Sequence, residues 1–411
     1  MNILFLSHYF PPEVNAPATR TYEHCKRWVE LGNNVTVVTC APNCPDGVVY
    51  DGYKNKHTVE TIDGIKVIRV RTYLAPNKGF LKRIFNYLSY MFGALFHSIT
   101  MRNVDVVIAT SPQFFCGWAG VLLKYLRKWP FILEIRDIWP ESIVTVGAMR
   151  KSKIIRFLEI LEKKMYKAAD HIVAVGEGYK KKIMEKDIDS DKISVIINGV
   201  DLKKFNNENI SGDKIRNRYN APDKFVCSYI GTVGMAHGLE VVLKAASVLK
   251  SKNDNSVQFW IVGDGAERSR LQSSAQKQNL DNIIFTGRLP KEDMPSVIAA
   301  SDASLVHLRG TELFGTVIPS KIFELMAMNV PIIMGVKGEA QDIVLRGNAG
   351  VVMEPDDEGS LVSCIESIVS RNTHKFNGKE YVTLYFDRIM LANEMLKIIR
   401  VNTNNCNKKS N

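Results

Sequence analysis

The amino-acid sequence predicts an α/β protein of two Rossmann-like, doubly wound domains facing each other across a cleft. Three observations carry this. The chain has 411 residues, enough for two or three domains at ~150 residues each. Short strands rich in Val and Ile alternate with helical patterns, as in a parallel sheet covered on both faces. The alternation then pauses at a polar segment and starts again.

In the first half the expected strands are Asn2–Leu6, Val35–Thr39, Val67–Val70, Val104–Ala109, Phe131–Ile135, His171–Val175 and Ser194–Ile197. Helical stretches lie between them at Thr19–Leu31, Trp118–Lys128 and Ser152–Ala168. Asn198-Gly199-Val200-Asp201 is a turn signal, and polar sequence follows to Asp223. The second half repeats the pattern with strands Phe225–Ile230, Val257–Val262, Asn282–Thr286, Ala303–Leu308, Pro331–Met334 and Gly350–Met353. Its helices are Gly238–Lys250, Leu271–Lys277, Pro290–Ala300, Lys321–Met328 and Gly359–Ser370. The expected division is 1–200, 201–380, a last helix over 381–401 that reads as Leu384–Val401, and a disordered polar tail over 402–411.

Composition is that of an ordinary globular protein, 45% hydrophobic and 24% charged, which excludes disorder of the bulk. No run reaches the ~18 uncharged apolar residues of a membrane span, and nothing near Asn2 reads as a secretory leader. Seven scattered Cys without zinc spacing fit a reduced, cytoplasmic compartment. The formal charge of +11 is uneven: residues 1–200 hold 28 Lys+Arg against 19 Asp+Glu, residues 201–411 hold 26 against 24. A basic first half points to an anionic partner. Nucleic acid would want aromatics interleaved with the basic residues on an exposed platform, and no such module is present.

Glycines follow three strands of the second half: Gly231 and Gly234, Gly263 and Gly265, and Gly287. Each permits close approach of backbone to a ligand, and a helix N-terminus beyond favours phosphate. The first half has no comparable loop, so the nucleotide belongs to the second. There Pro319-Ser320-Lys321-Ile322-Phe323-Glu324 opens a helix. Lys321 in a first turn opposes the helix dipole unless an anion is near, and Glu324 at i+3 shares its face. A cation for a diphosphate and a carboxylate for ribose hydroxyls form a coherent pair; the plainer alternative is a surface Lys–Glu pair.

Tyr9-Phe10-Pro11-Pro12-Glu13, Asp137-Ile138-Trp139-Pro140-Glu141-Ser142, Asn198-Gly199-Val200-Asp201 with Phe205, Gly263-Asp264-Gly265 and Pro319 to Glu324 together carry a family resemblance. From Asn2 to about Lys397 the chain resembles a retaining glycosyltransferase of family 4, with the two-Rossmann GT-B fold. The Asp137–Ser142 stretch is similar to the branch that builds O-antigen and capsule, N-acetyl-L-fucosamine transferases included. The resemblance implies a nucleoside-diphosphate sugar donor, UDP-linked, and a lipid-linked diphosphate saccharide acceptor at the inner face of the cell membrane. It also implies a C-terminal helix that returns to the first domain. The donor site would hold Gly231, Thr232, His237, Gly263, Asp264, Arg288, Lys321 and Glu324, and the acceptor site Asn15, Trp139 and Glu141. Two departures stand out. Thr232 and His237 occupy places where the family commonly has Arg and Lys, and Thr316 stands where the first of a pair of glutamates is common. The diphosphate cation then shifts to Lys321, with Arg288 or His237 assisting.

A diphosphate leaving group needs its developing charge neutralised, which Lys321 and backbone amides can do without metal or other cofactor. Front-side attack, the family-like route, requires no enzymatic nucleophile. Glu13 and Asp137, at strand ends of the first domain, are the candidates for positioning the acceptor hydroxyl and stabilising the cationic sugar; loop structure is their alternative role. Asp187-Ile188-Asp189-Ser190-Asp191 resembles a metal-binding Asp-x-Asp pattern, but it precedes a strand at the end away from the cleft and reads as a solvated turn.

Leu81, Ile84, Phe85, Leu88, Met91, Phe92, Leu95, Phe96 and Ile99 repeat at helical spacing, with Lys78, Lys82 and Arg83 at the start and Lys151, Lys153 and Arg156 as further basic residues. This is a packed helix or a face that dips into an anionic membrane interface, giving a peripheral protein. Two other functions remain open on sequence: a UDP-sugar 2-epimerase of the same fold, and a nucleotide-sugar-binding protein without catalysis.

Overall fold

The computed structural model describes residues 1–44, 46–75, 80–111, 113–145, 152–370 and 376–410. The chain divides into two units, Met1–Asn198 with Arg388–Asn411, and Gly199–Asp387.

The first unit is built on β1 (Asn2–Leu6), α1 (Ala16–Glu30), β2 (Asn34–Cys40), β3 (Thr58–Ile62), β4 (Ile65–Val70), α2 (Phe80–Ile99), β5 (Val106–Thr110), α3 (Phe114–Arg127), β6 (Phe131–Ile135), α4 (Glu141–Thr145), α5 (Lys153–Ala168), β7 (His171–Ala174), α6 (Glu177–Met184) and β8 (Ile193–Val195). The strands form one sheet in the order β3-β4-β2-β1-β5-β6-β7-β8. The order reverses at β1, whose neighbours are β2 and β5, so the topological switch point lies there. All pairings are parallel except β3 with β4. The antiparallel β3 is an edge strand that the sequence reading missed. Thr58–Ile62 alternates half-buried with exposed residues and lacks the continuous apolar run of a central strand.

In the second unit come α7 (Asp213–Arg218), β9 (Phe225–Ile230), α8 (Glu240–Ser251), β10 (Val257–Val262), α9 (Arg268–Lys277), β11 (Ile283–Gly287), α10 (Met294–Ala299), β12 (Ala303–His307), α11 (Lys321–Ala327), β13 (Ile332–Gly335), α12 (Glu339–Arg346), β14 (Gly350–Val352), α13 (Glu358–Ser370) and α14 (Gly378–Tyr385). Its sheet runs β11-β10-β9-β12-β13-β14, parallel throughout. This unit continues past residue 380 to Asp387 because α14 packs on α11.

The last helix, α15 (Arg388–Ser410), belongs to the first unit, as the resemblance implied. Leu391, Met395, Leu396 and Ile399 enter a core with Ile3, Phe5, Trp28, Val37 and Ile108. Fully burying each such side chain contributes roughly 1.5–3 kcal/mol. Trp28 Nε1 donates to Ala392 O at 2.9 Å, and Arg388 grips both oxygens of Glu23 at 2.7 Å. The tail expectation is corrected: helix continues through 402–410. Asn402 and Thr403 bond back to Ile398 and Ile399, and Thr403 is buried.

One buried ion pair secures the place where the chain leaves the first unit. Arg20 on α1 donates to Glu134 on β6 at 2.8 Å, and also to Ile196 O, Ile197 O and Asn198 Oδ1. Burial works to raise the Glu134 pKa, but Arg20 and Arg136 outweigh it and hold the carboxyl at about 2. Thr110 Oγ1 supplies a further bond at 2.6 Å.

Candidate functional site

At the carboxyl ends of β9, β10 and β11, backbone bonds stitch three loops together. Gly231 N donates to Val262 O, Val233 N to Asp264 O and Gly263 N to Gly287 O, at 2.8–3.0 Å. Gly263 has φ +139°, and a Cβ there would stand 1.9 Å from Gly231 O; one on Gly265 would stand 2.3 Å from Val233 O. These two glycines are therefore required by loop-on-loop packing, a different reason from the ligand approach read in the sequence. Gly231, at φ +145°, does face a functional group: a Cβ there would lie 3.2 Å from Lys321 Nζ.

Lys321, at the start of α11, has its Nζ buried with no hydrogen-bond partner, 3.9 Å from the centroid of the Tyr229 ring. Burial pulls its pKa down to about 7, and the nearby Glu324 carboxylate works the other way. Tyr229 is held by its own hydroxyl, which donates to Thr232 O at 2.7 Å. An ammonium on a ring face, beside a glycine and with no hydrogen-bond partner among the described residues, is arranged to receive negative charge.

His237 stands at the same place. Its Nδ1 is buried without a partner and its ring meets Tyr229 edge-on, 5.9 Å between centroids. Burial, then the neighbouring Lys321, lower its pKa to about 4. His237 is thus neutral at physiological pH and offers a hydrogen bond rather than charge. Its carbonyl is fixed by His307, whose Nδ1 donates to it at 2.7 Å while Asp356 N donates to His307 Nε2 at 2.9 Å.

The remaining donor candidates surround this point. Thr232 is exposed, and Glu324 is half-buried beside Lys321. Asp264 accepts from Gly265 N at 2.8 Å and lies 3.7 Å from Arg268. Arg288 is exposed next to Gly287. Sequence reasoning missed Arg268, in the first turn of α9. Its Nε is buried without a partner, and a Cβ on Gly287 would lie 3.2 Å from its Nη2. Its spacing of four residues from Asp264 was the available signal.

In the first unit, Glu13 is buried, and its carboxylate accepts from Asn43 N at 3.0 Å, Cys44 N at 2.9 Å and Phe10 N at 3.4 Å. Burial raises its pKa against these bonds. Both oxygens therefore hold together the loops that follow β1 and β2. Asn15 caps α1, its Oδ1 accepting from Ala18 N at 2.9 Å, while its Nδ2 is buried without a partner.

Asp137, beyond the end of β6, lines a crevice with Ser111, Gln113, Phe114, Trp139 and Tyr166. Burial raises its pKa to about 6, opposed by the Ser142 hydroxyl, which donates to it at 2.9 Å. Trp139 is 7% exposed and lies against Phe114, ring centroids 4.6 Å apart. Glu141 begins α4, 3.5 Å from Lys182 Nζ. Glu13 and Asn15 thus sit over β1 and β2, and Asp137, Trp139 and Glu141 past β6. Arg136 next to Asp137 has its Nη1 buried without a partner.

The Asp-rich turn has structural work. Asp187 pairs with Lys163, and Asp189 caps the short helix Ser190–Lys192 by accepting from Asp191 N.

Helix α2 packs on α3, and α3 on α5. This layer exposes Phe85, Phe92 and Phe96 of α2, Tyr125 and Leu126 of α3, and Ile154, Phe157 and Ile160 of α5. Met91 turns into the core, and Ile84, Leu88, Leu95 and Ile99 are half-buried, so only part of the predicted stripe faces solvent. Lys82, Lys153 and Arg156 are exposed on the same helices; Lys78 and Lys151 lie outside the described residues. Among the described residues no helix is long and apolar enough to cross a membrane.

Comparison with known proteins accords with this architecture. Residues 17–204 match the family model Glycosyltransferase Family 4, and residues 211–382 match Glycosyl transferases group 1. WcaI of Escherichia coli (strain K12), whose name places it in colanic acid biosynthesis as a glycosyl transferase, is 24% identical, covering 97% of this chain and all of WcaI. Sucrose-phosphate synthase from Thermosynechococcus elongatus superposes with a TM-score of 0.78 at 18% identity, over 97% of this chain and 98% of that one. Anabaena Alr3699/HepE, solved in complex with UDP-glucose, gives 0.72 at 14% identity, over 98% of this chain and all of that one. With a Family 4 domain followed by a group 1 domain on two Rossmann-like sheets, the chain is a glycosyltransferase of the GT-B fold.

Proposed function

We propose that this enzyme transfers a sugar from a UDP-linked donor to a lipid-linked diphosphate saccharide, with retention at the anomeric carbon, in the synthesis of a bacterial surface polysaccharide. The observation that carries it is the buried, unpartnered ammonium of Lys321 beneath Gly231. A diphosphate oxygen is the anion that such a group awaits, and it gains most charge as the glycosidic bond breaks. The name of WcaI supports the polysaccharide context, and the UDP-glucose complex of HepE supports the donor class.

In this reading the second unit holds the donor. Lys321 meets the diphosphate, Gly231, Thr232, Gly263 and Asp264 supply the loop edge, and His237 adds a neutral hydrogen bond. Arg268 and Arg288 add positive charge, and Glu324 takes the ribose hydroxyls. The first unit holds the acceptor, with Asp137 the group nearest in chemistry to a proton acceptor or cation stabiliser, Glu13 a positioning residue, and Asn15, Trp139 and Glu141 around them. No metal takes part. The exposed apolar and basic residues of α2, α3 and α5 rest on the anionic, cytoplasmic face of the membrane, where each Lys or Arg contributes ~1 kcal/mol.

The test is incubation with UDP-sugars, with and without extracted bacterial lipid, followed by mass spectrometry and NMR of the product. Transfer to lipid with the donor's anomeric configuration is expected, unchanged by EDTA. An epimerised nucleotide sugar, or an inverted product, overturns the reading.

A further inference from the structure

His237 sits on a segment that cannot hold its own shape. Met235–His237 is a single short 3-10 turn between β9 and α8, with Gly234 before it and Gly238 after it. A turn of this length closes few backbone bonds of its own. Met235 is exposed, and Ala236 and His237 are half-buried, so no fully buried side chain anchors the turn.

The hold comes from the end of β12, the neighbour of β9 in the sheet. Three successive carbonyls of the turn are taken. Arg309 Nε donates to Met235 O at 2.8 Å, Arg309 N to Ala236 O at 2.9 Å, and His307 Nδ1 to His237 O at 2.7 Å. This clamp is itself anchored at Asp356, in the turn that follows β14. The Asp356 N–H donates to His307 Nε2 at 2.9 Å, and its carboxylate accepts from Gly310 N at 3.0 Å. Arg309 also reaches Glu240, at the start of α8, at 3.2 Å.

The same bonds fix the chemistry of His307. A ring that donates from Nδ1 and accepts at Nε2 is neutral and has one tautomer. Burial acts in the same direction and lowers its pKa. The ring is wedged between two glycines. A Cβ on Gly335 would stand 2.6 Å from His307 Cδ2, and one on Gly238, where φ is +54°, 3.1 Å from His307 Cε1 and 2.7 Å from Asp356 Oδ1. With both nitrogens engaged and no charge, His307 has nothing left to offer a ligand. Its effect falls instead on His237. That residue has its carbonyl drawn to β12, its ring against the edge of Tyr229, and its Nδ1 buried without a partner.

We infer that His307 and Arg309 are positioning residues of the donor site, which lock the Met235–His237 turn through its carbonyls, with Asp356 as their anchor, and so aim the His237 ring at the diphosphate. The inference rests on the donor proposed above and assigns the shape of its site to residues that the donor does not touch.

Binding of UDP and of uridine, which lacks both phosphates, tests it by calorimetry and ligand-observed NMR. Wild-type protein should bind UDP at least tenfold more tightly than uridine. His307→Phe keeps a ring in the wedge and removes both of its bonds. Arg309→Met is the milder variant, because Glu240 keeps its pair with Arg270. Each should weaken UDP about tenfold, as expected when a held carbonyl loses its donor, and leave uridine within about twofold. His237→Ala keeps the held carbonyl and deletes the ring that it aims. In that background Arg309→Met should cost UDP no more than about twofold further, since residues that act through one another do not add. If His307→Phe fails to fold, Arg309→Met decides alone. UDP affinity within twofold of wild type in Arg309→Met, equal losses for UDP and uridine, or a loss that adds in full to that of His237→Ala overturns the positioning role and leaves the donor site standing. Wild-type protein that binds UDP no more tightly than uridine overturns the donor site, and the positioning role with it.

Discussion

The ammonium nitrogen of Lys321 lies 3.9 Å from the centre of the Tyr229 ring, and among the described residues no oxygen accepts a hydrogen bond from it. Burial brings its pKa from 10.5 to about 7. The unfolded chain therefore binds more protons than the folded one between about pH 7 and 10. This group's contribution to stability consequently rises with pH across that window. A bound diphosphate favours the charged form and reverses the balance. UDP binding at pH 8 should take up close to one proton, read by calorimetry in two buffers of different ionisation enthalpy. Lys321→Met should remove the uptake and weaken UDP by tenfold or more, about 1.4 kcal/mol.

Asp137 acts on the acid side. Its carboxyl is raised to about 6 by burial and is steadied by Ser142. If the ionised form serves transfer, kcat/KM should fall below an apparent pKa near 6. Ser142→Ala removes a bond to the charged form and should move that limb to higher pH. Asp137→Asn should abolish the limb and reduce turnover by about 10²-fold, at the lower end of general acid–base contributions. An unchanged pH profile in Asp137→Asn excludes it from the chemistry.

Arg20 and Glu134 form a pair 3% and 1% exposed. Arg20→Met leaves the buried Glu134 carboxylate with Thr110 but without its ion-pair partner, and removes a donor from the carbonyls of Ile196 and Ile197. Denaturant unfolding of the first unit should show a loss of about 3–5 kcal/mol. Because the Glu134 pKa is depressed to about 2, its stabilisation is complete above its unfolded value of about 4.5. It should disappear as pH falls from there toward 2.

Membrane contact is tested by flotation with vesicles. Binding to phosphatidylglycerol vesicles should exceed binding to neutral ones and weaken with salt, because screening shortens the reach of the basic residues. Phe92→Asp with Phe157→Asp should release the protein, as should Lys82→Glu with Lys153→Glu and Arg156→Glu. UDP affinity should stay within twofold in both variants. Equal flotation with neutral vesicles contradicts the proposed face.

Most of the strands were legible because central ones such as Val106–Thr110 and Phe131–Ile135 are unbroken apolar runs, buried on both faces. Short elements of mixed polarity were not. Thr58–Ile62 and the helices Glu177–Met184 and Glu339–Arg346 mix polar with apolar residues over short lengths. The terminal helix was drawn short because Asn402 to Asn407 lower local propensity, while the burial of Thr403 in the first unit is a tertiary contact that propensity does not show.

Lys321 stood out in the sequence because a cation in a first helical turn conflicts with the dipole and asks for an explanation. The glycines were located correctly, but Gly263 and Gly265 serve neighbouring backbone, a tertiary fact with no local signature. Arg268 was not read as a candidate for the same reason. An arginine on an amphipathic helix reads as solvated until the neighbours of its guanidinium are known.

The central claim is that transfer runs from a UDP-sugar at the Lys321 site to a lipid-linked acceptor. The most direct measurement is the initial rate of transfer of a labelled sugar from UDP to extracted lipid, at saturating donor, for wild type and Lys321→Met with matched melting curves. The account predicts label in lipid for wild type and a rate lower by at least 10²-fold for the variant, the loss expected when a donor to transition-state charge is removed. Equal rates in the two proteins would contradict it.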